Sequence, residues 1–161
     1  MFEDARKNKN DCFYLYLASM VFCAFSIEAF LNHLGKNKIT PNWDEIEKNQ
    51  CINEKLALAC KNIGYVLNKQ EKPFNFFNTI FDFRDEIVHG KTEIISNKVK
   101  FIKENNRFLL PKAKWESMVT QQMCEKFINQ TKNMIEILSK KSNLDEEPFG
   151  SDKIALVDTN E

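Results

Sequence analysis

The chain has 161 residues, a formal net charge of zero, and only four glycines and four prolines against fourteen phenylalanines. This length predicts one domain with room for a sizeable core. So few chain breakers exclude a turn-rich β sandwich and a flexible linker protein. We therefore expect an all-α fold, an up-and-down bundle of four main helices in residues 1–142 with a small basic β-hairpin before the last helix, and an acidic tail in residues 143–161.

The first predicted helix covers about residues 4–34, with Gly35 as its C-terminal stop. Its apolar residues alternate spacings of four and three, which predicts a buried stripe. That stripe consists of Phe13, Leu17, Met20, Ala24, Ile27, Leu31 and Leu34. A second stripe beside it consists of Tyr14, Ala18, Val21, Phe25, Glu28 and Asn32. Because Glu28 and Asn32 are polar where the pattern places core residues, we expect them to face a polar interior spot or a cleft.

The run 12–27 contains no charged residue, which raises the alternative of a membrane helix or a signal peptide. The run is too short for a comfortable membrane span, and polar residues follow it closely. Residues 1–10 mix acids with bases, and no small-residue cleavage site follows them. We expect a buried helix in a protein that has no membrane partner.

Three further helices are predicted at about 52–67, 73–88 and 112–141, and Gly90 lies just past the end of the helix at 73–88. Between the last two, the apolar period changes, and residues 93–110 predict a β-hairpin with its turn at 104–106. The five cysteines form no C-x-x-C pair and most have apolar neighbours. They are typical of core residues in a reducing cytoplasm, so we expect a cytoplasmic protein without a metal site or a cofactor.

Charge is unevenly distributed along this neutral chain. The acidic tail carries six acids against one lysine, whereas residues 91–114 carry seven bases against two acids. A basic excess of this kind suits an anionic partner, although it also suits a solvated surface loop. The candidate RNA-binding residues in this segment are Lys91, Lys98, Lys100, Lys103 and Arg107.

The segment 83–90 closes a Phe-rich helix with Arg84 and His89, one of only two histidines. Arginine presents a planar fork of donors suited to phosphate, and histidine titrates near neutrality. The two residues could therefore hold a phosphodiester and move a proton beside it. On a continuous helix they lie about 140° apart, so we expect the helix to fray at Gly90 and the His89 ring to swing toward Arg84. Asp85 would orient the imidazole from four residues before it.

The same residues also suit an ordinary helix end. In that interpretation Arg84 pairs with Glu28 or another acid, and the negative end of the helix dipole stabilises His89. The spacing of the residues is compatible with both interpretations.

Two segments of the chain resemble the HEPN superfamily, small all-α domains that often act as ribonucleases. Residues 83–89 resemble its Arg-polar-x(3–5)-His signature. Residues 27–32, Ile-Glu-Ala-Phe-Leu-Asn, resemble the aliphatic-Glu-Ala-aromatic-x-Asn pattern of HEPN first helices. The order of the predicted elements also agrees, and the resemblance covers about residues 13–138.

The resemblance implies a homodimer in which two Arg/His motifs meet in one cleft, and a reaction that needs no metal. Arg84 would clamp the scissile phosphate, and His89 would act as general base or acid. Asp85 would help set the geometry of the site, and Glu28 and Asn32 would orient Arg84. The products would carry a 2′,3′-cyclic phosphate. The substrate would therefore be RNA, because DNA lacks the 2′-OH that acts as the internal nucleophile.

The function that the resemblance implies is a metal-independent endoribonuclease in defence or a toxin–antitoxin system, with any antitoxin or regulator acting in trans. In toxins paired with a nucleotidyltransferase antitoxin, the motif commonly continues His-x-Tyr, but Lys91 occupies that position here. Control by tyrosine modification at this site is therefore not expected. Many HEPN domains are non-catalytic, so a nucleotide- or protein-binding module is the alternative.

Overall fold

The computed structural model of the chain describes residues 12–38, 42–89, 100–102, 107–109 and 113–143. Its helices and strands, in chain order, are α1 (Cys12–Lys38), α2 (Trp43–Asn49), α3 (Ile52–Asn62), α4 (Phe77–Val88), β1 (Lys100–Ile102), β2 (Arg107–Leu109), α5 (Lys114–Met118) and α6 (Gln121–Ser142). A short 3-10 turn, Phe74–Phe76, leads into α4. The predominantly helical class expected from the sequence is confirmed.

Helix α1 is the central element, and it packs against α2, α3, α4 and α6. The predicted buried stripe is confirmed in its C-terminal part, where Met20, Ala24, Ile27, Leu31 and Leu34 are at most 2% exposed. The first two members of the stripe are half-buried. Burial of this stripe stabilises the fold by about 25 cal/mol for each Å² of apolar surface that is removed from water. This is the main force that holds the other helices around α1.

An aromatic cluster joins α4 to α6. The Phe127 ring on α6 meets the rings of Phe76 and Phe83 edge-on, with centroid distances of 5.2 and 5.4 Å. Such edge-to-face pairs contribute about 1 kcal/mol each beyond their buried area. This packing fixes the rotation of α4 about its own axis, and it thereby decides where Arg84 points.

The predicted stop of the first helix at Gly35 is wrong, because α1 continues through Lys38. Gly35 is instead a point of close packing: the Trp43 indole lies directly against it, and a Cβ at this position would overlap the ring. Trp43 is 2% exposed. Glycine is therefore required here for the contact between α1 and α2, and not for a helix end.

The second main helix is shorter than predicted. Helix α3 ends at Asn62, not at residue 67. Gly64 adopts a positive φ of 68°, and the N–H of Tyr65 donates to the carbonyl of Cys60 at 2.8 Å while Gly64 N–H donates to Lys61 O at 3.3 Å. This pair of bonds is a Schellman C-cap, in which a left-handed glycine ends the helix.

The last predicted helix, at 112–141, is in fact two helices. Val119 leaves the helical conformation at ψ 81°, which ends α5, and the Thr120 hydroxyl then caps α6 by accepting the N–H of Met123 at 3.2 Å. The threonine side chain satisfies a backbone donor that a continuous helix would bond internally. α6 then runs to Ser142, with Lys140 and Lys141 in its last turn.

Strands β1 and β2 pair antiparallel, with Phe101 opposite Phe108. Four predicted features lie outside the described residues: the start of the first helix at residues 4–11, the stop at Gly90, the hairpin turn at 104–106, and the acidic tail from residue 144 onward.

Candidate functional site

Helix α4 places Arg84 at the edge of the core. Its neighbours Phe81 and Phe83 are buried, and the Arg84 guanidinium carbon lies 5.3 Å from the centroid of the Phe81 ring. A cation–π contact of this kind contributes about 1 kcal/mol at a partly exposed site. The Arg84 side chain remains 21% exposed. The guanidinium is therefore held in one place and still reaches solvent.

Four charged residues from three helices form a continuous group around this arginine: Glu28, Lys55, Arg84 and Asp85. We call this group the Glu28 cluster. Arg84 Nη1 lies 3.4 Å from Glu28 Oε2, and Lys55 Nζ lies 3.5 Å from Glu28 Oε1. Arg84 Nε lies 2.7 Å from Asp85 Oδ1, although its N–H is not aligned for a hydrogen bond. The Glu28 carboxylate thus bridges a cation on α3 and a cation on α4.

Lys55 is the member of the Glu28 cluster that was not among the residues predicted from the sequence. It is 4% exposed, and it lies on the α3 face that also buries Leu56, Ala59 and Cys60. The apolar spacing of this helix already indicated that Lys55 is buried, because Lys55 is four residues before Ala59 and therefore lies on the same face. A lysine on a buried face requires a partner of opposite charge. The sequence could not say that Glu28 is that partner.

Asn32 does not reach Arg84, contrary to the expectation from the resemblance. Its side-chain amide donates to Glu47 Oε1 on α2 at 3.1 Å, and Glu47 Oε2 also pairs with Lys36 Nζ at 3.1 Å. The Asn32 carbonyl oxygen is buried and has no hydrogen-bond partner among the described residues. Of the two first-helix polar residues, Glu28 contacts Arg84 and Asn32 instead joins α1 to α2.

His89 is the exposed C-cap of α4. Its φ of −90° and ψ of −2° stay close to helical values, and its N–H donates to the Asp85 carbonyl at 3.0 Å. The backbone position of His89 is therefore about 140° around the helix axis from that of Arg84, whereas the fraying expected at Gly90 lies outside the described residues. Asp85 directs its carboxylate to Arg84 and not to the imidazole. Within the described ranges no hydrogen bond or ion pair of the His89 ring is found.

The basic residues after the motif are only partly described. Lys91, Lys98 and Lys103 lie outside the described residues. Lys100 begins β1, opposite Leu109, and Arg107 begins β2, opposite Ile102. The two described bases therefore belong to one antiparallel pair of strands.

A concavity of about 350 Å³ lies between α4 and α5, on the flank of the motif. Asp82, Asp85 and Glu86 line it, and Lys114 Nζ lies 3.6 Å from Glu86 Oε1. Three carboxylates against one lysine repel a phosphate, so this concavity does not suit a nucleic-acid backbone. In the described part of the chain, no group of three or more His, Cys, Asp or Glu side chains is arranged to hold a metal ion.

Tyr14 and Phe25 of the second predicted stripe, which the pattern placed at core positions, are exposed in the structure, and Phe22 beside them, which was not in that stripe, is exposed too. Tyr14 is 73% exposed, Phe22 is 52% exposed and Phe25 is 43% exposed, with Ala18 and Val21 half-buried between them. We call these five residues the α1 stripe. Contiguous exposed aromatic residues of this kind mark interaction surfaces in soluble proteins. By length and composition α1 is also apolar enough to cross a membrane, a criterion that core helices of soluble proteins pass as well.

The buried cysteines belong to the core. Burial raises the pKa of Cys60 to about 11 and that of Cys124 to about 12, and it also raises the pKa of Cys23. Thiols with such pKa values stay protonated near neutral pH and are poor nucleophiles. These three cysteines therefore offer no covalent catalysis.

No family model, curated protein or solved structure matches the chain.

Proposed function

We propose that the chain is a metal-independent endoribonuclease of HEPN type that acts as a homodimer in the cytoplasm, in defence or a toxin–antitoxin system. The observation that supports this most is the anchored but solvent-accessible guanidinium of Arg84, held by Glu28 and Phe81. A phosphate-binding group requires this combination, because preorganisation lowers the cost of binding while exposure leaves donors for the substrate. In this proposal α1, α3, α4 and α6 are the four main helices of a HEPN-like bundle, and β1 and β2 belong to its basic hairpin.

The chemistry follows from the two side chains. The 2′-oxygen of RNA attacks the adjacent phosphorus, the bond to the 5′-oxygen breaks, and a 2′,3′-cyclic phosphate results. His89 takes the proton of the 2′-OH or gives a proton to the leaving 5′-oxygen. Arg84 stabilises the negative charge that grows on the phosphate oxygens. DNA lacks the 2′-OH and would not be cleaved.

A homodimer would supply a cleft that contains both an arginine and a histidine, which one chain lacks. Arg84 and His89 diverge on the same helix, so a cleft that uses both groups is more easily assembled from two copies. The α1 stripe is an uncovered apolar face on the same helix as Glu28. A two-fold axis at this face would pair the stripe with itself and bring the two motifs together. Basic residues of the hairpin segment, Lys100 and Arg107 among them, would then contact the RNA backbone.

An antitoxin or another regulator would act in trans. Because Lys91 follows the motif where some relatives of this type have tyrosine, that regulator would not be expected to modify a tyrosine there. It would instead cover the cleft or separate the two copies.

The second candidate function is a non-catalytic HEPN-like module that binds a nucleotide or a protein. The formal charges of the Glu28 cluster favour it, since Lys55 and Arg84 are balanced by Glu28 and Asp85. An arginine already paired with two carboxylates binds an anion less strongly than a free one. Stabilisation of the end of α4 would be a sufficient reason for such pairing.

The deciding experiment is RNA cleavage by the purified protein in the presence of EDTA. We expect wild type to cleave single-stranded RNA and to leave 2′,3′-cyclic phosphate ends, which mass spectrometry detects. Arg84→Ala and His89→Ala should each reduce the rate by about 10³-fold, which is the scale for removal of a charge-stabilising group or a general acid or base.

His33→Ala is the matched control, because His33 is the other histidine of the chain and its ring lies beside Asn37 on the same helix, α1. It should cleave at the wild-type rate. Equal cleavage by wild type, Arg84→Ala and His89→Ala would indicate a contaminating nuclease. Absence of cleavage together with specific nucleotide binding would establish the non-catalytic candidate.

A further inference from the structure

Lys55 is a buried charge that neither the fold nor the proposed reaction explains. Its side chain is 5% exposed, and Glu28 is the one hydrogen-bond or ion-pair partner of its ammonium among the described residues. Burial of an ammonium group costs several kcal/mol, and a well-packed apolar side chain of similar volume is often neutral or stabilising by comparison. Packing alone would therefore favour leucine or methionine at this position.

The geometry at Glu28 suggests what the lysine does. Lys55 lies 3.5 Å from Oε1 of the carboxylate, and Arg84 lies 3.4 Å from Oε2. Because a carboxylate is planar, an anchor on one oxygen sets the direction of the other. Both separations are long for a charge-assisted hydrogen bond, so Glu28 is shared between the two cations, and Arg84 is guided by Glu28 without being fully engaged by it.

The charge balance leads to the same conclusion. Lys55 offsets the charge of Glu28, and this leaves more of the Arg84 charge available to an incoming anion. Without Lys55 the formal charge of the Glu28 cluster falls from zero to −1. Glu28 could then turn both oxygens toward Arg84 and compete with phosphate.

We propose that Lys55 is a positioning residue: it holds Glu28 so that Arg84 stays oriented and electropositive for an RNA phosphate. The part that concerns RNA rests on the proposed function, whereas the coupling of Lys55 to Arg84 through Glu28 does not. The partner chemistry is a phosphodiester, recognised through Arg84, and Lys55 itself does not touch it.

The first test observes Arg84 directly and requires no activity. The chain has three arginines, Arg6, Arg84 and Arg107, so a ¹⁵N-arginine spectrum contains few Nε–H signals. The Arg84 signal is assigned by its loss in Arg84→Lys. We expect Lys55→Met to move this signal and to change its exchange rate with water, whereas Lys61→Met, on the exposed side of the same helix, leaves both unchanged.

The second test measures RNA. Binding of a 2′-O-methyl oligonucleotide, which lacks the nucleophile, should weaken about tenfold in Lys55→Met, on the scale of a lost charge–charge coupling. In cleavage assays of Lys55→Met, the same loss should be seen mainly as a higher KM. Lys55→Arg should restore binding to within about threefold of wild type, because it keeps the positive charge beside Glu28. A role limited to stability would lower the unfolding midpoint without this pattern.

The outcomes separate the two proposals. An unchanged Arg84 signal in Lys55→Met would overturn the positioning role, whether or not wild type cleaves RNA. A moved signal in a wild-type protein that neither binds nor cleaves RNA would support the coupling and refute the proposed function. Should Lys55→Met not fold, Lys55→Gln replaces it in both tests, because its amide can still donate to Glu28 without carrying charge.

Discussion

Glu28 on α1 and Arg84 on α4 are 56 residues apart in the chain, and their side chains approach to 3.4 Å. These residues belong to the two short segments that carry the sequence resemblance. Their contact means that the segments form one local structure and not two separate patterns. The contact is compatible with a phosphate-binding arginine and with a structural helix end, so variants must decide between them.

Removal of the Glu28 charge should destabilise the protein more than removal of a carboxylate from an exposed ion pair. Glu28→Gln leaves the buried ammonium of Lys55 without a counter-charge, and we expect a loss of about 2 kcal/mol in the free energy of unfolding, reduced from the fully buried case because Glu28 is partly exposed. The control is Asp44→Asn, which breaks an ion pair with Lys36 whose partners are 81% and 53% exposed. That change should cost markedly less, because solvent screens both charges. Equal losses in urea unfolding would contradict a special role for Glu28.

A charge in the α1 stripe should separate the proposed dimer. Phe25→Glu places a carboxylate in the α1 stripe, and we expect a folded monomer by light scattering with an unchanged helical circular dichroism spectrum. Cleavage should fall together with dimerisation if the site is composite. The control is Val66→Glu, because Val66 is 89% exposed and lies outside the stripe. A dimer that persists in Phe25→Glu would place the contact elsewhere.

The two described glycines outside the motif should respond differently to alanine. Gly35→Ala forces a Cβ into the Trp43 ring, and we expect a cost of about 3 kcal/mol in the free energy of unfolding. In Gly64→Ala the added Cβ meets no atom within 4 Å. The alanine must, however, adopt a φ of 68°, which costs about 1 kcal/mol for a residue with a side chain. Denaturant unfolding of both variants tests the order, and changes in the fluorescence or the near-ultraviolet circular dichroism of Trp43 should accompany only the first.

Alkaline pH should destabilise the fold through the buried thiols. The folded state holds the Cys60 and Cys124 protons to a pKa of about 11 and about 12, whereas the ordinary value is 9.0. Above pH 9 the unfolded chain releases protons that the folded chain keeps, so stability is complete below that pH and falls as the pH rises. We expect a loss of about 2 kcal/mol between about pH 8 and about pH 10. The double variant Cys60→Ala/Cys124→Ala should show a flatter pH dependence, and an unchanged slope would contradict the assignment.

Some parts of the site were predictable from the sequence because they depend on local properties. The apolar period of α1 predicted its buried stripe, since side chains three and four residues apart share one face of a helix. Arg84 and His89 were predictable as candidates from their chemistry at the end of a Phe-rich helix. Their separation on that helix also followed from its 100° step.

Other parts depend on how the helices cross, which no local pattern records. The sequence by itself determined the helical class, the buried stripe of α1 and the identity of Arg84 and Glu28 as candidates. Only the tertiary structure decided that Lys55 reaches Glu28, that Asn32 turns to Glu47, and that Gly35 lies under Trp43. The physical reason is that periodicity defines which face of a helix is buried, whereas the partner of each side chain on that face depends on the packing of residues far apart in the chain.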